Sequence, residues 1–433
     1  MAVLTNPYLN EICSNIRARP VPWDGYIRTD VVSQADAELI KQIEKLSDEQ
    51  KKAAVAASPL PYVKTTAALL TKTSRPDILQ YALVLLSDLL DLSSDFSEAI
   101  YSSKSDKMEL YAVLLPLLDH SDEHVWLTCS LATTAVLKDD PNPPKDVVEK
   151  FFSFNISQSK STDANLKDLS VQIYGSIIQS QSIREQLWAA SKSTIPPLIS
   201  FLSAQSSIQL TYHTLMVFWI LTFYPKASAE LDEQFDIIPI LLRTLKSAIK
   251  EKIARVCVAI LVNMITLAPE KNQVVILSHH GLTLLRSLMN RKWSDPELQD
   301  DLETLIAHLE ITEGELSSFD EYKIELDSGR LKWSPSHRSA EFWRSNAYKF
   351  KEQNWKYTHR LLEIILTSDD STTLAVACND IGFLIEQVPE VLRVIQQQNV
   401  KPRIMELMTH NDTDLRYEAL KATQNLMQNS LKA

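Results

Sequence analysis

Residues 77–90 read DILQYALVLLSDLL, placing Leu79, Leu83, Leu86 and Leu90 at offsets 0, 4, 7 and 11. A helix turns once in about 3.6 residues, so these offsets share one face and the stretch reads as a helix burying a leucine stripe. Asp77 stands just ahead of it, where a carboxylate can accept first-turn amide protons.

The pattern returns along the chain. Val125, Cys129, Ala132 and Val136 follow a polar break at Ser121 and Asp122, and Leu166, Ser170, Ile173 and Ile177 form a weaker copy. Ile208, Tyr212, Leu215 and Trp219 come next, then Ile253, Cys257, Ile260 and Met264, then Leu298, Leu302, Leu305 and Leu309. Leu374, Cys378, Ile381 and Ile385 precede the last set, Leu415, Ala419, Ala422 and Leu426. The first members follow at intervals of 46, 41, 42, 45, 45, 76 and 41 residues. Most of these fall in the armadillo/HEAT range, and the regular spacing weighs more than any single match. The expectation is an all-α protein: an armadillo/HEAT-like α-solenoid with a smaller C-terminal helical-repeat domain.

The interval of 76 marks an interruption between Glu310 and His337. It holds Gly314, Gly329 and the polar run Ser317, Ser318, Phe319, Asp320 and Glu321. A boundary there divides the chain into residues 1–313 and 314–433, with Asp320–Leu331 expected to form a helix and turn opening the second domain. Asp122, Asp163, Asp370 and Asp412 stand at N-cap or first-turn positions, and Asp295 precedes Pro296. Pro197, Pro239 and Pro402 stand just ahead of apolar runs, where a missing amide donor costs little.

Six glycines in 433 residues disfavour hairpin-rich sheets and Gly-rich phosphate loops, both of which need residues tolerant of positive φ. A net charge of -11 argues against a dedicated nucleic-acid binder and for protein partners. Met1–Asn10 lacks the charged and apolar runs of a signal peptide, and no apolar stretch reaches membrane-span length, so a cytosolic location without membrane insertion is expected. Cys13, Cys129, Cys257 and Cys378 show neither paired nor zinc-ligand spacing and read as small buried hydrophobes.

No G-x-x-x-x-G-K-[ST] loop is present, and the adjacent His279 and His280 cannot present a zincin-like pair on one helical face. Asn155 and Asn411 begin accidental glycosylation triplets. The Trp/Asn ladder of peptide-binding armadillo scaffolds is missing, since Trp343 is followed by Asn346 three residues on rather than four. No catalytic, metal or cofactor-binding residues are assigned. Residues 328–350, SGRLKWSPSHRSAEFWRSNAYKF, stand out by combining basic residues with Trp333, Phe342 and Trp343. They read either as a docking surface for an acidic partner or as aromatics packing an interdomain joint beneath solvated charges.

That segment, with IMELMTHNDTDLRYEALKATQNLM at 404–427, resembles the C-terminal domain of the H subunit of the V-type proton-pumping ATPase. NPYLNEICSNIRARPVPWDGY at 6–26, with Val21, Trp23 and Tyr26, resembles that family's N-terminal helix and turn. The resemblance implies a non-catalytic regulatory subunit of the peripheral sector, on the cytosolic face of vacuolar or other acidic endomembranes. It implies partners in the E and G subunits of the peripheral stalk, the cytosolic domain of the membrane-embedded a subunit, and catalytic-sector or rotor subunits of the detached sector, where ATP hydrolysis would be restrained. A hinge near Gly314 would permit the rearrangement, and Arg338, Arg344, Ser368, Asp369 and Asp370 are the candidate contact residues. The competing reading is a generic armadillo/HEAT adaptor that binds linear peptides in trafficking or transport.

Overall fold

The computed structural model describes residues 4–203, 206–316 and 319–430. Among them the chain runs through successive α-helices, with one short 3-10 turn at Ala347–Lys351 and no strand. The caps explain where many helices start. Asp122 accepts from the Val125 amide at 3.0 Å, Asp370 from Thr373 at 2.8 Å and Asp412 from Leu415 at 3.0 Å, each satisfying an otherwise orphaned donor. Proline opens the helices Pro7–Ala18, Pro59–Lys72, Pro76–Leu92, Pro225–Phe235 and Pro269–Ser278. Pro197 does not fit that rule: the helix Ser191–Ser200 begins earlier and carries both Pro196 and Pro197 inside it.

The repeat read from the sequence is the buried face of nearly every unit. Leu79, Leu83, Leu86 and Leu90 are buried, as are all four members of the sets beginning at Val125, Ile253, Leu298, Leu374 and Leu415. The helix Ile208–Leu221 departs from the template: Ile208 is 53% exposed, and the buried face runs through Leu210, Thr214, Val217 and Leu221. That helix is apolar almost all round, so its sequence does not say which face turns inward.

The chain forms two compact units, Met1–Ile240 with Ser247–Asn263 and Leu241–Lys246 with Met264–Ala433. In the first, the helices Pro76–Leu92, Glu123–Asp139, Ala164–Ile177 and Ile208–Leu221 pack in series, each against the next. Each helix thus buries the stripe its neighbour cannot cover alone, the solenoid principle. The helix Pro7–Ala18 lies on the first two members of this series. Buried Asn6 donates to the Asn165 carbonyl at 3.1 Å and to Asp168 at 3.2 Å, tying the start of that helix to the third.

In the second unit Ser371–Gln387 packs along Thr413–Ser430, flanked by Glu352–Thr367. The expected hinge glycine, Gly314, lies inside the helix Pro296–Leu316 and marks no break in it, because the helical pattern of that stretch runs past Leu309. Ser317 and Ser318 lie outside the described residues. Phe319–Ser328 follows as a helix, ending at Gly329, whose φ of +71° suits a residue without a side chain. His279 and His280 sit exposed at a helix junction, where a Cβ on Gly281 would come 2.7 Å from the Ile276 carbonyl oxygen.

Candidate functional site

The C-terminal unit is built around aromatic residues from four short elements. Tyr322 comes from Phe319–Ser328, Phe342 and Trp343 from Ala340–Asn346, Phe350 from the 3-10 turn and Tyr357 from Glu352–Thr367. Trp343 is wholly buried and stacks on Phe350 and Phe383, with ring centroids 5.3 and 5.8 Å away. The aromatics of the 328–350 segment therefore divide: Phe342 and Trp343 form the core of this unit, whereas Trp333 stays partly exposed. Burial of this size dominates local energetics, which rules out Phe342 and Trp343 as surface anchors.

A polar cluster is sealed within that core. His337 Nδ1 lies 2.7 Å from Asp380 Oδ2, and the Tyr322 hydroxyl donates to the same oxygen at 2.9 Å. His337 Nε2 is 3.2 Å from Glu325 Oε2, at ion-pair distance but outside hydrogen-bond geometry. Asn379 donates to the His337 carbonyl at 2.7 Å, which fixes the backbone as well as the ring. Burial opposes the imidazolium, but the carboxylates of Asp380 and Glu325 outweigh it and raise the His337 pKa to about 9. In the sequence His337 stands out only as the end of the interruption and as one member of a basic, aromatic run. Its partners lie 43 and 12 residues away, beyond any local motif.

The five expected contact residues do not form one patch of free charge. Arg338 lies with its guanidinium carbon 3.4 Å from the Trp333 ring centroid and pairs with buried Glu418 at 3.3 Å. It is committed within its own unit. Arg344 is exposed and pairs with Glu341 one turn back at 3.0 Å. Ser368 accepts from the Asp370 amide at 3.2 Å, and Asp370 caps Ser371–Gln387, which holds its carboxyl below the ordinary value. Asp369 lies between them, exposed to solvent.

Two features have no signal in the sequence pattern. Gln353, Asn354 and Trp355 all adopt left-handed conformations, with φ of 50°, 57° and 64°. A run of non-glycine residues there costs of order 1–3 kcal/mol each and persists only where the surroundings impose it. On the outer side of Thr413–Ser430, Tyr417, Leu420 and Met427 are 65%, 49% and 49% exposed. The stripe from Leu415 to Leu426 on the same helix masks them, because it accounts by itself for an apolar face.

In the N-terminal unit the residues quoted for the family turn are structural. Trp23 is buried edge-on to Tyr81, and the Tyr26 hydroxyl donates to Asp77 at 2.5 Å. Beside them a groove of about 720 Å³ is lined by Arg17, Glu44, Lys51, Tyr81 and Asp88 among others. Arg17 and Asp88 close an ion pair of 2.6 Å across its wall. All four cysteines are buried, and burial pushes the thiols of Cys129 and Cys378 up to about 12. Asn155 is buried and donates to the Ser170 carbonyl at 2.9 Å, joining neighbouring helices. Among the described residues, no His, Cys, Asp and Glu side chains gather into a metal-holding group, and no helix is long and apolar enough to cross a membrane.

Comparison with known proteins places these features in a lineage. Two family models, both described as the V-ATPase H subunit, match residues 7–309 and 315–431. The V-type proton ATPase H subunit of Drosophila melanogaster is 31% identical over 430 residues, covering 97% of this chain and 90% of the relative. A probable V-type proton ATPase H subunit of Oryza sativa subsp. japonica is 28% identical over 432 residues, covering 94% of each. A designed armadillo repeat protein has a TM-score of 0.47 at 16% identity, covering 57% of this chain and 99% of that one. On the strength of the two family models and the Drosophila relative, the chain belongs to the V-ATPase H-subunit family.

Proposed function

We propose that the chain is a non-catalytic regulatory subunit of a vacuolar-type proton-transporting ATPase, required for activity of the assembled pump and restraining ATP hydrolysis by the detached peripheral sector. The observation that carries this reading is the ordered match of both halves of the family over residues 7–431. The N-terminal solenoid grips the peripheral stalk formed by the E and G subunits. The C-terminal unit contacts the cytosolic domain of the membrane-embedded a subunit in the assembled pump, and stator and rotor in the detached sector. Restraint of this kind asks only for a contact strong enough to oppose rotation, biasing a two-state equilibrium without chemistry in this chain.

The protein works at the cytosolic face of acidic endomembranes. Arg344 and Asp369 offer exposed charges for the switching contact, with Ser368 and Asp370 shaping the loop and Arg338 supporting it through Trp333 and Glu418. Affinity purification of the tagged full chain from cells, with identification of bound proteins, tests the reading. Recovery of the E and G stalk subunits is expected; recovery of unrelated cargo proteins in their place would favour a peptide-binding adaptor.

A further inference from the structure

Residues 344–360 carry Arg344, Lys349, Lys351, Lys356 and Arg360 in a chain whose net charge is -11, and the two arginines pair with Glu341 and Glu363 just outside the stretch while the lysines crowd its middle around Glu352. The backbone beneath them is pinned. Ala347 and Phe350 are fully buried on one side and Tyr357 and Leu361 buried on the other, so the stretch between cannot withdraw into the core. The left-handed run Gln353, Asn354 and Trp355 kinks the chain between those anchors. The Lys351 ammonium then lies 5.2 Å from the Tyr348 ring centroid and 6.0 Å from that of Trp355. Tyr348 is 63% exposed.

Lys351 shares an exposed ion pair of 2.9 Å with Glu390, the weak kind that a partner can replace. Lys349 donates to the Asn346 side chain at 2.7 Å, and Lys356 sits 5.7 Å from the Tyr357 ring centroid. Neither pairs with a carboxylate among the described residues. The surface thus combines an exposed aromatic ring, the replaceable Lys351–Glu390 pair and two lysines, Lys349 and Lys356, that pair with no carboxylate among the described residues.

We propose that the turn centred on Lys351 is a docking surface for an acidic polypeptide segment, with Lys349, Lys351 and Lys356 meeting its carboxylates and Tyr348 covering its apolar side. Charge complementarity favours an acidic occupant, and the imposed backbone lowers the ordering cost of binding. A polypeptide fits better than an anionic membrane because carboxylates stand among these cations, Glu390 at 2.9 Å from Lys351 and Glu352 next to it in the chain, and they oppose a continuous anionic surface more than a single segment. The proposal rests on the regulatory reading only for the choice of bait below.

The test places a photoreactive phenylalanine analogue at position 348 of the full chain and irradiates it with the detached peripheral sector. The expected adduct is to an Asp/Glu-rich peptide of one sector component. Retention of the chain on the sector without such an adduct, or with an adduct to a peptide lacking acidic excess, overturns the docking surface and leaves the regulatory reading intact. Failure of retention overturns the regulatory reading, and a labelled glutamate decamer then judges the surface alone. Wild type should bind the decamer, K349R/K351R/K356R should retain binding, and K349E/K351E/K356E should lose about tenfold or more in affinity. Equal decamer binding by the reversed variant, no binding by wild type, or capture of phosphatidylserine vesicles in preference to the decamer overturns it.

Discussion

His337 and Asp380 form an ion pair with no solvent contact on either side chain, 2.7 Å from ring nitrogen to carboxylate oxygen. The pair joins the segment after Phe319–Ser328 to the central helix Ser371–Gln387, and Tyr322 reaches the same carboxylate. Removing one member strands the other in the core, so Asp380→Asn should lower the unfolding free energy by about 3–5 kcal/mol. Urea denaturation of the full chain checks this. A loss below about 1 kcal/mol would show that the pair does not hold this unit together.

The same pair sets a pH dependence. The folded pKa of His337 is raised from 6.5 to about 9, because Asp380 and Glu325 outweigh the opposing effect of burial. A raised folded value means the unfolded state loses its proton first, so this stabilisation is complete below the unfolded pKa and disappears as pH rises through about 9. Stability should therefore fall between about pH 7 and 10 in wild type, and less steeply in His337→Gln. Denaturation midpoints across that range give the comparison.

Arg338 is expected from the sequence at a contact surface, and in the structure it lies on the Trp333 ring and pairs with Glu418. Arg338→Ala exposes the Trp333 face and leaves the Glu418 carboxylate, 4% exposed, with Lys421 at 3.6 Å as its one remaining cation among the described residues. A cost of about 1–3 kcal/mol follows, with Arg338→Lys intermediate because it keeps charge without the planar fork. A variant of wild-type stability that loses only sector binding would instead make Arg338 a contact residue.

Much of this is legible in the sequence and some is not, for physical reasons. The stripe Leu79, Leu83, Leu86 and Leu90 can be read because one helical face is greasy and the other is not. Ile208, Tyr212 and Trp219 mislead because their helix is apolar on nearly every side. Trp343 and Arg338 sit five residues apart in a basic, aromatic stretch, yet one fills the core and the other lies on Trp333, a division that depends on distant Phe383 and Glu418. The turn at Gln353–Trp355 contains neither glycine nor proline, and a lone Asn354 does not announce three successive left-handed residues.

The acidic loop separates capping from contact. Asp370→Ala removes the acceptor for the Thr373 amide and should cost about 1 kcal/mol, whereas exposed Asp369→Ala should stay within about 0.5 kcal/mol. Thermal unfolding of the two variants distinguishes them. Equal losses would mean that Asp369 carries a structural role.

Burial dominates the behaviour of the cysteines. With Cys129 and Cys378 raised to about 12 and Cys13 to about 11, native chain treated with iodoacetamide at neutral pH should stay unmodified, and all four thiols should react in denaturant. Mass spectrometry of the intact protein reports the outcome. Rapid native alkylation of any of the four would contradict their placement in the core.

The most direct measurement is ATP hydrolysis by a detached V-type peripheral sector stripped of its own H subunit, with purified full chain added back. The expected result is that the chain alone hydrolyses nothing and that one copy bound per sector suppresses the sector's turnover. Undiminished hydrolysis with the chain stoichiometrically bound, or turnover by the chain on its own, would contradict it.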